Sequence, residues 1–121
     1  MTLPLTKEML AGAYEYLKAT PPFNKWHLPE TEEVGFKVVR TRQKQGWYQW
    51  DGQRHTITGS YGRVAHTTTL MVLMAHEMIH LHLEETGMES KRGSNDTHNA
   101  AFRILAARVC KFHGFDPKAF Y

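Results

Sequence analysis

Fourteen residues, Leu70 to Leu83, constrain the chain more than any others: ten are apolar, and the four that are not are His76, Glu77, His80 and His82. A helix this apolar has to be buried on most sides, and a carboxylate and imidazoles buried with it are costly unless they find partners. The spacing predicts a helix over 67–85, opened by threonines and stopped at Gly87.

Inside that helix, His76-Glu77-Met78-Ile79-His80 forms the pattern His-Glu-x-x-His. Four residues advance a helix by about 400°, so His76 and His80 share a face, about 6 Å apart along the axis, and can grip one metal ion. Glu77 is rotated by about 100° from His76, close enough to hold a water at the ion without ligating it. A dication satisfies both imidazoles and organises the glutamate, which removes the cost of burying them.

A catalytic zinc site usually takes three protein ligands and leaves one position open. His82 points to the opposite side of the helix, and Glu84 lies a full turn too far along. Glu89 or Asp96 could serve from the polar loop that follows, but His98 is better placed, because it opens the next helix where the chain packs back on the metal helix. One Zn2+ per chain is the expected cofactor, although three imidazoles would also accept cobalt, nickel or copper. Leu83 and Thr86 stand where the extended metzincin pattern needs Gly and His. The single cysteine, Cys110, excludes disulfides within the chain and zinc modules built on two or more thiolates.

The rest of the chain reads as scaffold for that helix. Met9, Leu10, Ala13, Tyr14 and Leu17 recur at helical spacing after Thr6, which predicts a capped helix to Lys18 ended by Pro21-Pro22. Residues 23–33 read as an irregular connection. Asp51-Gly52 between two β-prone runs signals a hairpin, so residues 35–59 are expected to form a small antiparallel three-stranded sheet. Ala101, Phe102, Leu105, Ala106 and Val109 predict a C-terminal helix over 98–113, with Gly114 beyond it. The 121 residues make one domain, 1–121, of α+β class.

Charge adds a second theme. Lys37, Arg40, Arg42, Lys44, Arg54 and Arg63 face one acid, Asp51, in the same stretch, and Trp47, Tyr48, Trp50 and Tyr61 are interleaved. Bases among aromatics form the usual footprint for single-stranded nucleic acid, which makes DNA a candidate partner through those six residues; with no recognised nucleic-acid motif beside them, the favoured reading is the solvated face of a sheet whose tryptophans build the core. A nucleic-acid-binding module with a structural or inactive zinc site is accordingly the alternative to an enzyme. The longest apolar run, Leu70 to Ala75, is far too short to span a bilayer, and the N-terminus lacks a secretory pattern, so no membrane partner and a cytoplasmic location are expected.

Leu73-Met74-Ala75-His76-Glu77-Met78-Ile79-His80, followed after a loop by Thr97-His98-Asn99-Ala100-Ala101-Phe102, resembles the SprT-like metallopeptidases, the group that includes the Spartan-type proteases. Ala13-Tyr14-Glu15-Tyr16-Leu17, Leu28-Pro29 and Ile57-Thr58-Gly59-Ser60 follow the same order of helix, strands and zinc helix. The resemblance implies a zincin-like minimal metalloprotease core with His76, His80 and His98 as zinc ligands and Glu77 as the catalytic residue. It also implies hydrolysis of peptide bonds in a protein or peptide substrate, including DNA-associated proteins, by water that Glu77 activates at the zinc. Two departures stand out: the chain lacks the cysteines of the family's C-terminal zinc ribbon, and Asn99 occupies a position that is often glycine. Tyr61, Arg63 and His113 are open choices for an oxyanion-stabilising donor.

Overall fold

A computed structural model describes residues 5–61, 67–90 and 98–120. The first helix, α1 (Lys7–Lys18), starts where Thr6 accepts a hydrogen bond from the Met9 amide at 3.2 Å, and buries Leu10, Ala13, Tyr14 and Leu17. Three strands follow, β1 (Val34–Val39), β2 (Gly46–Trp50) and β3 (His55–Ser60), then α2 (Thr67–Thr86), α3 (Ala100–His113) and a short α4 (Pro117–Phe120). Among the described residues, no helix is long and apolar enough to cross a membrane.

The α+β class stands, but the all-antiparallel sheet does not. The strand order is β1-β3-β2, with β3 parallel to β1 and antiparallel to β2. The Asp51-Gly52 hairpin forms as its sequence predicts: Asp51 accepts from the amides of Gln53 and Arg54 at 2.8 Å, and Gly52 takes a φ of 94°. What local signals do not show is that β1 leaves a vacant place beside it. Residues 40–45 carry the chain past the end of β3, and six extended residues span about 20 Å, ample for crossing two strand spacings of about 4.8 Å. Ser60 pins this crossing. Its hydroxyl accepts from the Thr41 amide at 3.0 Å and donates to the Thr41 carbonyl, and its own amide reaches the Gln45 carbonyl at 2.8 Å. β3, the most buried strand, thereby becomes the centre of the sheet.

α1 and α2 lie against one face of this sheet. Gly46 and Gly59 pair across β2 and β3 where space is short: a Cβ at Gly46 would run into the Thr58 carbonyl and Leu73 of α2, the latter at 2.9 Å, and one at Gly59 would press on Leu5 and Leu10 at 3.0 and 3.1 Å. α2 packs against α1, α3, α4, β2 and β3, which accounts for its apolar surface on nearly every side. It is the axis of the hydrophobic cluster, in which Met74, Met78, Ile79 and Leu81 are wholly buried.

Candidate metal centre

α2 presents His76 and His80 one turn apart, with ring centroids separated by 5.1 Å. His98 meets them from the next segment, its ring 4.8 Å from His76 and 5.3 Å from His80. One ring nitrogen from each of the three lies within 4.8 Å of the others, and the Nε2 atoms of His76 and His98 are 3.1 Å apart. Zinc–nitrogen bonds of about 2.0–2.1 Å in a tetrahedral site put ligand nitrogens roughly 3.3 Å apart, so the donor set suits a small N-preferring dication.

His98 stands two residues before α3 rather than opening it, a correction to the expected helix start. Asn99 is the cap: its side-chain oxygen accepts from the Phe102 amide at 2.9 Å, while its side-chain nitrogen donates to the Met88 carbonyl at 3.0 Å. A glycine could do neither, so Asn99 has a local structural role. Arg103 donates to the His98 carbonyl, adding a second tether. Phe102, wholly buried, lies 4.9, 4.6 and 4.5 Å from the rings of His76, His80 and His98 and forms one floor under all three.

The tautomers follow from the hydrogen bonds. His76 Nδ1 is 2.8 Å from the Phe120 carbonyl, which can only accept, so the proton sits on Nδ1 and Nε2 is left with its lone pair. His80 Nδ1 is 2.7 Å from Glu89 Oε2, with the same consequence. Burial, together with the neighbouring His80 and His98, lowers the His76 pKa to about 4 against the opposing Phe120 bond, so this imidazole is neutral near pH 7. Glu77 is 5% exposed. Burial pushes its carboxyl up to about 7, with Glu89 adding to the rise and His80 and Lys44 opposing it.

The other residues singled out by sequence fall elsewhere. Glu89 stands behind His80 as its hydrogen-bond partner and outside the cluster of three histidines, and Asp96 lies outside the described residues. His82 stacks on Trp26, with ring centroids 4.5 Å apart. Among the donors considered for an oxyanion, Tyr61 is exposed, Arg63 lies outside the described residues, and His113 is 3.1 Å from Thr20 Oγ1, between Phe23 and Phe115.

Tyr48 is a neighbour that sequence reasoning did not single out for the site. Its ring lies parallel to that of His80 at 6.5 Å, and its hydroxyl is 2.5 Å from His55 Nδ1. Burial, then the charges of Glu84, Glu89 and Glu85, hold the phenol protonated, so it donates to His55. Tyr48, Trp50, Lys37, Arg54, Glu84 and Glu89 line a cleft of about 700 Å³ beside β2. Among the described residues β2 is a sheet edge. The Ser60–Gln45 and Asp51–Arg54 backbone bonds put the odd-numbered residues of β2 in the bonded pairs with β3, so the amides and carbonyls of Gly46, Tyr48 and Trp50 point away from it.

The five described bases of the charged stretch are all exposed, yet they are divided. Arg40, Arg42 and Lys44 occupy the crossing at one end of the sheet, with Lys44 Nζ 5.9 Å from the centre of the Trp47 ring. Arg54 is at the other end, one strand length or roughly 20 Å away. Neither a scan against protein-family models nor a search of curated proteins finds a match to the chain.

Proposed function

We propose that the chain is a zinc-dependent metalloendopeptidase with a zincin-like, SprT-like core. The observation that carries this reading is the convergence of His98 on His76 and His80, the latter two held at Nδ1 so that Nε2 keeps its lone pair, beside the helix that also buries Glu77. These residues fit zinc, and a bound zinc would supply a Lewis acid that polarises a carbonyl and makes water more acidic.

The chain's own residues account for the rest. Glu77, one residue after His76, takes the proton from the attacking water and returns it to the departing amine. Its low-dielectric surroundings strengthen its interaction with charge that develops beside it. The outward amides and carbonyls of Gly46, Tyr48 and Trp50 offer a ladder to an extended peptide, which favours unfolded or locally opened protein as substrate. DNA enters this proposal as a second partner, through Arg40, Arg42 and Lys44 beside Trp47.

Glu77→Gln and His98→Ala separate the parts. Glu77→Gln is expected to retain about one zinc per chain, by elemental mass spectrometry after dialysis against a weak chelator, while cleavage of an unfolded protein falls by about 10²–10⁴-fold. His98→Ala is expected to lose the metal. A folded wild-type protein that takes up no zinc, or a Glu77→Gln variant that cleaves as fast as wild type, would overturn the reading.

A further inference from the structure

The two metal-facing histidines of α2 are backed differently. His76 Nδ1 meets a neutral backbone carbonyl, that of Phe120, whereas His80 Nδ1 meets a carboxylate, Glu89, at 2.7 Å. The side chains of His80 and Glu89 are 12% and 16% exposed, so the pair is largely shielded from water, where a charge-assisted hydrogen bond is at its strongest.

The carboxylate is itself held in place. At Gly87, with a φ of 74°, the chain turns at the end of α2, and the Met88 amide bonds back to the Leu83 carbonyl at 2.8 Å. That reversal lays Glu89 alongside the helix, nine residues after His80. Glu89 Oε1 accepts from the Ser90 amide at 3.1 Å, leaving Oε2 for the imidazole. Asn99, the cap beside His98, reaches the carbonyl of Met88 at 3.0 Å. The third histidine and the carboxylate behind the second therefore share one joint.

We infer that Glu89 is a positioning residue for the metal: it fixes the Nδ1–H tautomer and ring angle of His80 and, through its charge, makes Nε2 a stronger donor. This rests on the zinc reading above and extends it to a residue outside the His-Glu-x-x-His pattern. Glu89 acts through His80 and does not ligate. Carboxylates placed behind metal-bound imidazoles set affinity by about 10–100-fold, which is the scale expected here.

The test is zinc affinity of the full chain, by competition with a chromophoric chelator, for wild type, Glu89→Ala, Glu89→Gln and Glu84→Gln. Glu89→Ala loses both charge and hydrogen bond, and its affinity should fall by about 10–100-fold. Glu89→Gln keeps an acceptor and the side-chain shape, so it should fold where alanine does not and show a smaller loss. Glu84→Gln removes a charge from the same cleft without touching His80 and should bind zinc as wild type does. In the zinc-loaded protein, the NMR resonance of the His80 Nδ1 proton should move upfield in Glu89→Gln, a change that a general loss of stability would not produce. Affinities of both Glu89 variants within twofold of wild type, with an unmoved resonance, would overturn the role of Glu89 and leave the zinc site standing. A wild-type chain that takes up no zinc would overturn both.

Discussion

The histidine cluster on the helix side and the cleft at the edge of the sheet are built on opposite terms. On the helix side, around His76, His80 and His98, the polar contacts form a closed set: Phe120 and Glu89 hold two of the rings, Arg103 holds the backbone of the third, and Phe102 underlies them all. On the sheet side, β2 presents outward backbone groups, and Lys37 and Arg54, together with Glu84 of α2, line the cleft. The contrast separates two tasks. A metal site needs ligands held to within fractions of an ångström, whereas a surface for extended peptides needs backbone groups still available to pair.

Substitutions on the helix side should therefore cost most. Phe102→Ala removes a wholly buried ring from the core and the shared floor of three histidines; a loss of about 3–5 kcal/mol in chemical denaturation is expected, along with weakened zinc binding. Phe112→Ala, on the same helix but 58% exposed, should stay within about 0.5 kcal/mol of wild type. Equal effects at the two positions would erase the contrast.

The sheet side has closed points of its own, among them Ser60 at the end of β3. Ser60→Ala leaves the Thr41 amide without its side-chain acceptor and should cost about 1–3 kcal/mol in the same measurement. A neutral result would mean that the crossing of residues 40–45 does not depend on it. Smallest in its effect on folding, the triple substitution Arg40→Gln, Arg42→Gln, Lys44→Gln should leave thermal stability nearly unchanged and weaken single-stranded DNA binding. The slope of log affinity against log salt should fall by about 2, at roughly 0.7 for each phosphate that the variant leaves unneutralised. No DNA binding by the wild type at low salt would remove DNA from the proposal.

Much of this architecture is legible one segment at a time. Thr6, Gly114 and Asp51-Gly52 mark their caps and turn through chemistry that acts within a few residues, and each does so in the structure. His76 and His80 share a face because a helix repeats every 3.6 residues, a rule that needs no tertiary information. Legibility fails where two answers are locally equal. Consecutive strands usually pair, so an antiparallel meander is the natural expectation, and only the seat of β3 beside both neighbours reverses it. The sequence favours His98 over Glu89 and Asp96 by its place at the start of the next helix, but nothing in the spacing of Glu89 tells that it stands behind His80.

Local signals alone specify the three long helices, the hairpin and the two histidines that share a helix face beside a glutamate, because each depends on backbone periodicity and short-range hydrogen bonding. Tertiary packing is what places β3 between β1 and β2, closes His98 on His76 at 3.1 Å, and stands Glu89 and the Phe120 carbonyl behind the other two rings. These three contacts join residues 9 to 44 positions apart, and their geometry is set by how α2, α3 and α4 pack around Phe102, which no local pattern records.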